Sequence, residues 1–248
     1  PFGAIVDKGQ MFQVIHAIKR GDKVIPIIAP AFWGQFGDKV TAGQLKTAME
    51  MLGFCGIEEV AIGADLCAIE EAEEFLESVP EKQPFMGTSC CPAWSVMAKT
   101  EFPGFAPYIS MTMTPMVLTA RLVKRRNPGC RIAFIGPCAA KKLEASRRSV
   151  RSEVDFVLTF EELRGMFEAK DIDLEKVEDS PSHHEASAPG VGFAAGGGVA
   201  KAVEDVIHRL HPEVEVKTIT ADGLRECRQM LRMARTGKYD GYLLEGMA

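Results

Sequence analysis

The chain has 248 residues, 46% of them hydrophobic and 25% charged, with a mean hydropathy near zero, which is the composition of a globular protein able to bury a large core. A formal net charge of -5 and a pI near 5.7 leave no overall basic footprint of the kind nucleic acid demands. The longest uncharged stretches, "VIPIIAPAFWGQFG" and "FPGFAPYISMTMTPMVLTA", are broken by prolines and polar residues, so neither is an apolar span of about 20 residues that would cross a bilayer.

The chain opens "PFGAIVDKGQM", without an initiating Met or a signal segment, and stops in "GYLLEGMA", inside an apolar strand pattern; it is expected to be cut at both ends. A helical pattern at "MFQVIHAIKR" precedes a strand at "KVIPIIAP", and "TAGQLKTAMEML" reads as a helix with Thr41 as N-cap. "EEVAIGADL" reads as a strand, followed by helices at "AIEEAEEFLESV" and "AWSVMAKTEF". Strands then fall at "RIAFIGP" and "VDFVLTF", and the polar, Pro/Ser-rich stretch 176–190 reads as a surface loop. "GGVAKAVEDVIHRL", "VEVKTIT", "GLRECRQMLRMAR" and "DGYLLEGM" complete the pattern as helix, strand, helix and strand. Such alternation predicts an α/β protein with mostly parallel sheets flanked by helices.

Ligands in α/β folds collect beyond the carboxyl ends of strands, so the position of the seven cysteines decides the reading. Cys90 and Cys91 precede Pro92, which suits a first helical turn; Cys138 follows the strand "RIAFIGP" and precedes the helix-like "AAKKLEASRR". A thiol at a helix start is favoured as the anion by orphan N–H groups, and Lys141 adds to that. Successive side chains diverge, so Cys90 and Cys91 do different jobs. Cys55, Cys67, Cys130 and Cys227 read as buried, inert thiols. Without a C-x-x-C pair or a His at ligand spacing, an iron-sulfur cluster suits the chain better than zinc. Spacing alone does not supply four ligands. The glycine-rich "GVGFAAGGGVAKAV" follows polar loop rather than a strand and lacks G-K-[ST], which argues against a nucleotide site. His183, His184, His208 and His211 form no ligand pattern and read as surface or capping residues.

Three motifs in order carry a resemblance. "TSCCPAW" (88–94), "GPCAAKKLE" (136–144) and the terminal "LLEGMA" are similar to the three signatures of the catalytic domain of [FeFe]-hydrogenases, the third of which continues into two more cysteines. The likeness runs nearly end to end, and "PFGAIVDKGQM" is similar to the segment just after the last cysteine of a ferredoxin-type [4Fe-4S] motif. The resemblance implies a two-lobed catalytic domain over 11–248, incomplete at its C-terminus, with the cofactor between the lobes and residues 1–10 as the tail of an upstream ferredoxin-like module. It implies an H-cluster, a [4Fe-4S] unit joined to a two-iron subcluster carrying CO, cyanide and azadithiolate, with further [4Fe-4S] clusters upstream. Cys91 and Cys138 are then metal ligands, with two more beyond Ala248. Lys141 would meet a cyanide, and Pro137, Met247, Ala29, Pro30 and Phe193 would line the pocket, which the backbone of the glycine-rich stretch could approach closely. Cys90 would pass protons along a wire of Ser110, Glu74 and Glu71. Periodicity disagrees on the last two: apolar residues at 69, 72, 75, 76 and 79 leave both glutamates on the solvated side, although their i, i+3 spacing puts them on one face.

The activity implied is the reversible reduction of protons to dihydrogen, in an anaerobic cytoplasm, with electrons from ferredoxin or another electron-transfer protein and with maturation proteins as partners. The isolated segment is expected to be inactive. Three positions depart from the commonest pattern: Gly136 where a Met is usual, Ala31 where a cyanide-binding serine is common, and Ser78 near an outer-wire arginine. The rivals are an iron-sulfur assembly scaffold, whose members usually lack the first of the paired cysteines, a sensory hydrogenase-like module, and a simple thiol or zinc protein.

Overall fold

The computed structural model describes residues 8–181 and 186–248; residues 1–7 of the expected ferredoxin tail, His183 and His184 lie outside the described residues. In chain order the elements are α1 (Met11–Lys19), β1 (Val24–Ile28), α2 (Ala42–Met51), β2 (Glu58–Glu59), α3 (Val60–Ser78), β3 (Met86–Gly87), α4 (Pro92–Glu101), α5 (Pro115–Arg126), β4 (Arg131–Gly136), α6 (Ala140–Ser146), β5 (Phe156–Thr159), α7 (Phe160–Glu168), α8 (Ala188–Gly192), α9 (Gly198–Leu210), β6 (Lys217–Asp222), α10 (Leu224–Ala234) and β7 (Tyr242–Met247). They form two compact units, one of Pro1–Val60 and Thr119–Glu185, the other of Ala61–Leu118 and Ala186–Ala248. Every strand pairing is parallel.

The first unit holds a four-stranded sheet in the order β2-β1-β4-β5. All five residues of β1 and five of the six in β4 are buried, the near-continuous apolar run expected of a parallel strand covered on both faces. Pro26 cannot donate to a ladder, and β2 reaches only Ile27 and Ile28, so the proline lies beside an open edge. Thr41 caps α2 as expected, in a full capping box with Gln44. Helices α1 and α7 pack on the sheet through Val14 and Ala17 and through Leu163 and Phe167.

The second unit holds a three-stranded sheet in the order β3-β7-β6. Its strands alternate between two cores. Met86 and Leu243 join Ala72 and Phe75 of α3 and Val203 and Ile207 of α9; Phe85 and Leu244 join Trp94 of α4 and Met230 and Leu231 of α10.

Four expectations are corrected. The strand read at "EEVAIGADL" is two residues long, because Val60 already starts α3 and the small residues that follow are core positions of that helix. The stretch 176–190 ends in α8, whose N-cap Ser187 accepts from the Gly190 N–H. Cys55 is exposed: it sits in the turn after Phe54, where its N–H reaches the carbonyl of Val24 and its side chain points outward. Cys67, Cys130 and Cys227 are buried as read. Fourth, Glu71 and Glu74 of α3 are not on a solvated face, because loop segments from elsewhere in the second unit cover them.

Candidate active site

In the second unit, β3 ends at Gly87 and the chain runs through Thr88, Ser89, Cys90 and Cys91 into α4. Cys91 is the N-cap of α4 with Pro92 at N1, so the helix start read from the sequence is present, and its thiol lies 3.7 Å from the carbonyl of Ala248. Trp94 holds the loop: its indole N–H donates to the Thr88 carbonyl at 3.0 Å, and Thr88 N–H donates to Leu244 of β7 at 2.9 Å. The ring lies so close to β7 that a Cβ on Gly246 would come within 2.2 Å of it.

The residue before the thiol pair faces α3. Glu71 is fully buried, and its Oε1 accepts from the Ser89 N–H at 2.9 Å and the Ser89 hydroxyl at 3.0 Å. Its Oε2 is buried without a hydrogen-bond partner. Burial pushes the Glu71 carboxyl up to about 7 against the lowering effect of Ser89. One turn along the same helix face, Glu74 Oε2 accepts from the Ser110 hydroxyl at 2.5 Å and from the Thr112 hydroxyl at 3.1 Å. Ser110, itself buried, also accepts from the Thr112 N–H at 3.1 Å and lies close enough to Glu71 to exert a small lowering influence on its carboxyl. Glu71, Ser110 and Glu74 are thus brought together. Periodicity placed both glutamates in solvent because it scores only the face packed by Ala68, Ala72 and Phe75; the segments at 88–89 and 110–112 cover a second face. Ser89 and Thr112 were missed by the sequence reading; the one signal available for Ser89 was its place in "TSCCPAW".

Around this loop, Met247 ends β7 and its carbonyl accepts from the Gly223 N–H at 2.6 Å. Phe193 is the C-cap of α8 and packs on the core shared by α3 and α9. The glycines beyond it serve internal packing: Gly197 takes a positive φ of 81° as N-cap of α9, and a Cβ on Gly198 would sit 1.9 Å from the Gly192 carbonyl. Glu245 of β7, 1% exposed and unforeseen, accepts from the Gly197 and Ala200 N–H groups at 3.1 and 2.8 Å. It supplies the cap that glycine lacks. Burial raises its carboxyl above the usual range. His208 and His211 are exposed, and His211 closes the C-terminal end of α9, in keeping with the surface and capping roles read for them.

In the first unit, β1 and β4 deliver Ala29, Pro30, Pro137 and Cys138 to one carboxyl edge, where the Ala29 N–H donates to Ile135 at 2.8 Å. Cys138 lies one residue before the N-cap Ala139 of α6. Lys141 is neither solvated nor open: its ammonium lies 2.7 Å from the buried carboxylate of Glu144. A Cβ on Gly136 would meet the Phe134 ring at 2.5 Å, so the aromatic occupies the space that a larger side chain at 136 would need. Among the described residues, no three His, Cys, Asp or Glu side chains converge as a metal site. The donor chemistry at both strand edges is thiol, which suits iron-sulfur ligation and is silent on its completion.

The sequence profile of a family described as "Iron only hydrogenase large subunit, C-terminal domain" matches residues 22–248. The chain belongs to this iron-only hydrogenase family. Iron hydrogenase 1 of Clostridium pasteurianum is 32% identical over 227 residues, covering 82% of this chain and 39% of that protein. The periplasmic [Fe] hydrogenase large subunit of Nitratidesulfovibrio vulgaris is 30% identical, over 73% of this chain and 49% of that protein. A probable cytosolic Fe-S cluster assembly factor of Drosophila persimilis is 33% identical, over 65% of this chain and 36% of that protein. The chain thus spans less than half the length of these relatives. A solved [FeFe]-hydrogenase, studied for oxygen inactivation through degradation of the 2Fe subcluster, shares the fold with a TM-score of 0.78 at 20% identity, over 97% of this chain and 82% of that one. The family and the α/β fold stand as read. No described helix is long and apolar enough to cross a membrane.

Proposed function

We propose that this iron-only hydrogenase chain is the catalytic part of an enzyme that interconverts protons and dihydrogen, with Cys90, Glu71, Ser110 and Glu74 moving the protons. One observation carries the proposal: Glu71, buried and hydrogen-bonded to the residue preceding the thiol pair, has its carboxyl pushed up to about 7 and lies near Ser110, whose hydroxyl donates to a second carboxylate, Glu74. A carboxyl poised near neutrality exchanges protons in both directions with little cost. The Ser110 hydroxyl can accept from one glutamate while donating to the other, and Glu74, only partly buried, is the outer of the two. Hydrogen bonds from Ser89 fix one oxygen of Glu71 and leave the other, which lacks a partner, to carry the exchanging proton.

Cys91 and Cys138 would hold an H-cluster, with its remaining ligands outside the 248 residues; when bound, the group supplies the redox chemistry of hydrogen. Ala29, Pro30, Pro137, Lys141, Phe193 and Met247 would border it. For Lys141 this requires exchange of Glu144 for an anionic partner. Further [4Fe-4S] clusters in an upstream ferredoxin-like module, a ferredoxin-type donor, maturation proteins and a cytoplasmic location complete the reading.

The test is Cys90→Ala in the full-length, matured protein. Iron content and the CO and cyanide infrared bands should persist while hydrogen turnover falls about 100-fold or more. Loss of iron would make Cys90 a ligand, and unchanged turnover would remove it from the proton path. The second reading, an iron-sulfur assembly scaffold, is favoured by the identity to the Drosophila factor. It requires a matured wild type without hydrogen turnover.

A further inference from the structure

The net charge of -5 hides a strong asymmetry. Residues 121–151 contain ten of the chain's 29 lysines and arginines and one of its 34 acidic residues. Half of these cations are engaged within the unit: Lys124 and Arg131 with Asp155, Arg131 also with Asp22, Lys142 with Glu162, Lys141 with Glu144, and Arg121 with backbone carbonyls. Arg125, Arg126, Arg147, Arg148 and Arg151 are exposed and carry no ion pair among the described residues.

The backbone segments that carry these five are tied together. The Arg121 guanidinium donates to the carbonyls of Val150 and Arg151 at 3.3 and 3.1 Å, which ties the loop after α6 to the side of α5. Arg125 lies one turn beyond Arg121 on the same helical face. The Ser152 hydroxyl, buried, donates to the Ala145 carbonyl at 3.1 Å and ties that same end of the loop back to α6. The last turn of α5 and the 147–151 loop thus lie side by side and carry their exposed arginines on adjoining backbone.

We infer that this surface docks a small acidic electron-carrier protein, a partner that rests on the hydrogenase reading above. A compact acidic face suits a patch of five cations on a chain that is otherwise acidic, whereas a long polyanion would run off it onto like charge. No exposed aromatic lies between residues 121 and 151 for bases to stack on. Continuity with the site supplies the rest. The loop leaves the far end of α6, and Cys138 lies just before its near end, so about 10 Å of helix separates the docking surface from a proposed cluster ligand.

The test compares the full-length wild type with an Arg125→Glu, Arg147→Glu, Arg148→Glu variant. The probe is an acidic ferredoxin, with a 20-base single-stranded DNA and vesicles of phosphatidylserine and phosphatidylcholine as the competing surfaces. The expected result is a rise in KM for ferredoxin of about 30-fold or more, a flatter dependence on salt, and unchanged hydrogen evolution from reduced methyl viologen. Reversing Arg225 and Arg232 on α10, an equal kind of change elsewhere, should leave the ferredoxin KM within about threefold. An unchanged ferredoxin KM in the triple variant, or DNA or vesicle binding tighter than ferredoxin binding and lost in that variant, overturns the inference. Absence of methyl viologen activity in the wild type instead sinks the hydrogenase reading; direct ferredoxin binding, measured by titration, still reports on the surface.

Discussion

Burial of Glu71 makes the stability of the chain depend on pH. A carboxyl raised from 4.5 to about 7 keeps its proton in the folded state across a pH range in which the unfolded chain has already released it. Stability from this group is therefore fully present below about pH 4.5 and lost as pH rises toward 7, with a full swing of about 3 kcal/mol. Gln cannot ionise, so the stability of Glu71→Gln relative to wild type should increase by about 2–3 kcal/mol between pH 5 and pH 8. Urea unfolding at pH 5, 6.5 and 8 reads this directly; parallel profiles for the two proteins would mean that the carboxyl is in contact with water. If the proposed proton path holds, the same variant of the full-length, matured protein should lose hydrogen turnover, because an amide relays no proton.

Among the elements, those with local signals were legible and those placed by distant partners were not. Thr41 and Gln44 announced α2, and the apolar runs announced β1, β4, β5 and β7, because capping and burial on both faces leave their mark within a few residues. Three helices carry such marks and are absent from the sequence pattern as read: α7 opens on a capping box of Thr159 and Glu162, α5 has Pro115 at its start and Lys124, Arg125 and Arg126 in its last turn, and the short α8 has Ser187 as N-cap with Pro189 in its first turn. Strand β3 could not be seen, since two residues hold no periodicity and Met86 and Gly87 are strand only because Leu243 and Leu244 lie beside them. For the site, motif likeness located the thiols, while the burial of Glu71 depends on segments 18 and more residues away. Glu245 was invisible for the same reason: its carboxylate serves a helix start 45 residues upstream. Glu245→Ala should leave the Gly197 and Ala200 N–H groups unpaired and cost about 1–3 kcal/mol, read as a lower urea midpoint, with Glu245→Gln recovering most of it. Equal losses in the two variants would deny the capping role.

At the scale of the whole molecule, each unit is assembled from two separate stretches of chain, so neither stretch carries a complete sheet. Residues 61–118 contain the thiol pair, the paired carboxylates and Ser110, yet their only strand is β3, whose ladder partner is β7 in the last stretch. A peptide of 61–118 alone should therefore show helix by circular dichroism without a cooperative thermal transition. A sharp transition in that peptide would show that its helices suffice, and that the sheet does not organise the paired carboxylates.

The contact between Trp94 and Gly246 carries a message about descent. The indole anchors the loop that presents Cys90, and it fits only because position 246 has no side chain. The two positions are bound to a shared history: a lineage that enlarges 246 must surrender the indole, and one that surrenders the indole frees 246 to drift. Related chains should then sort into those that keep both and those that have lost both, with the mixed types rare.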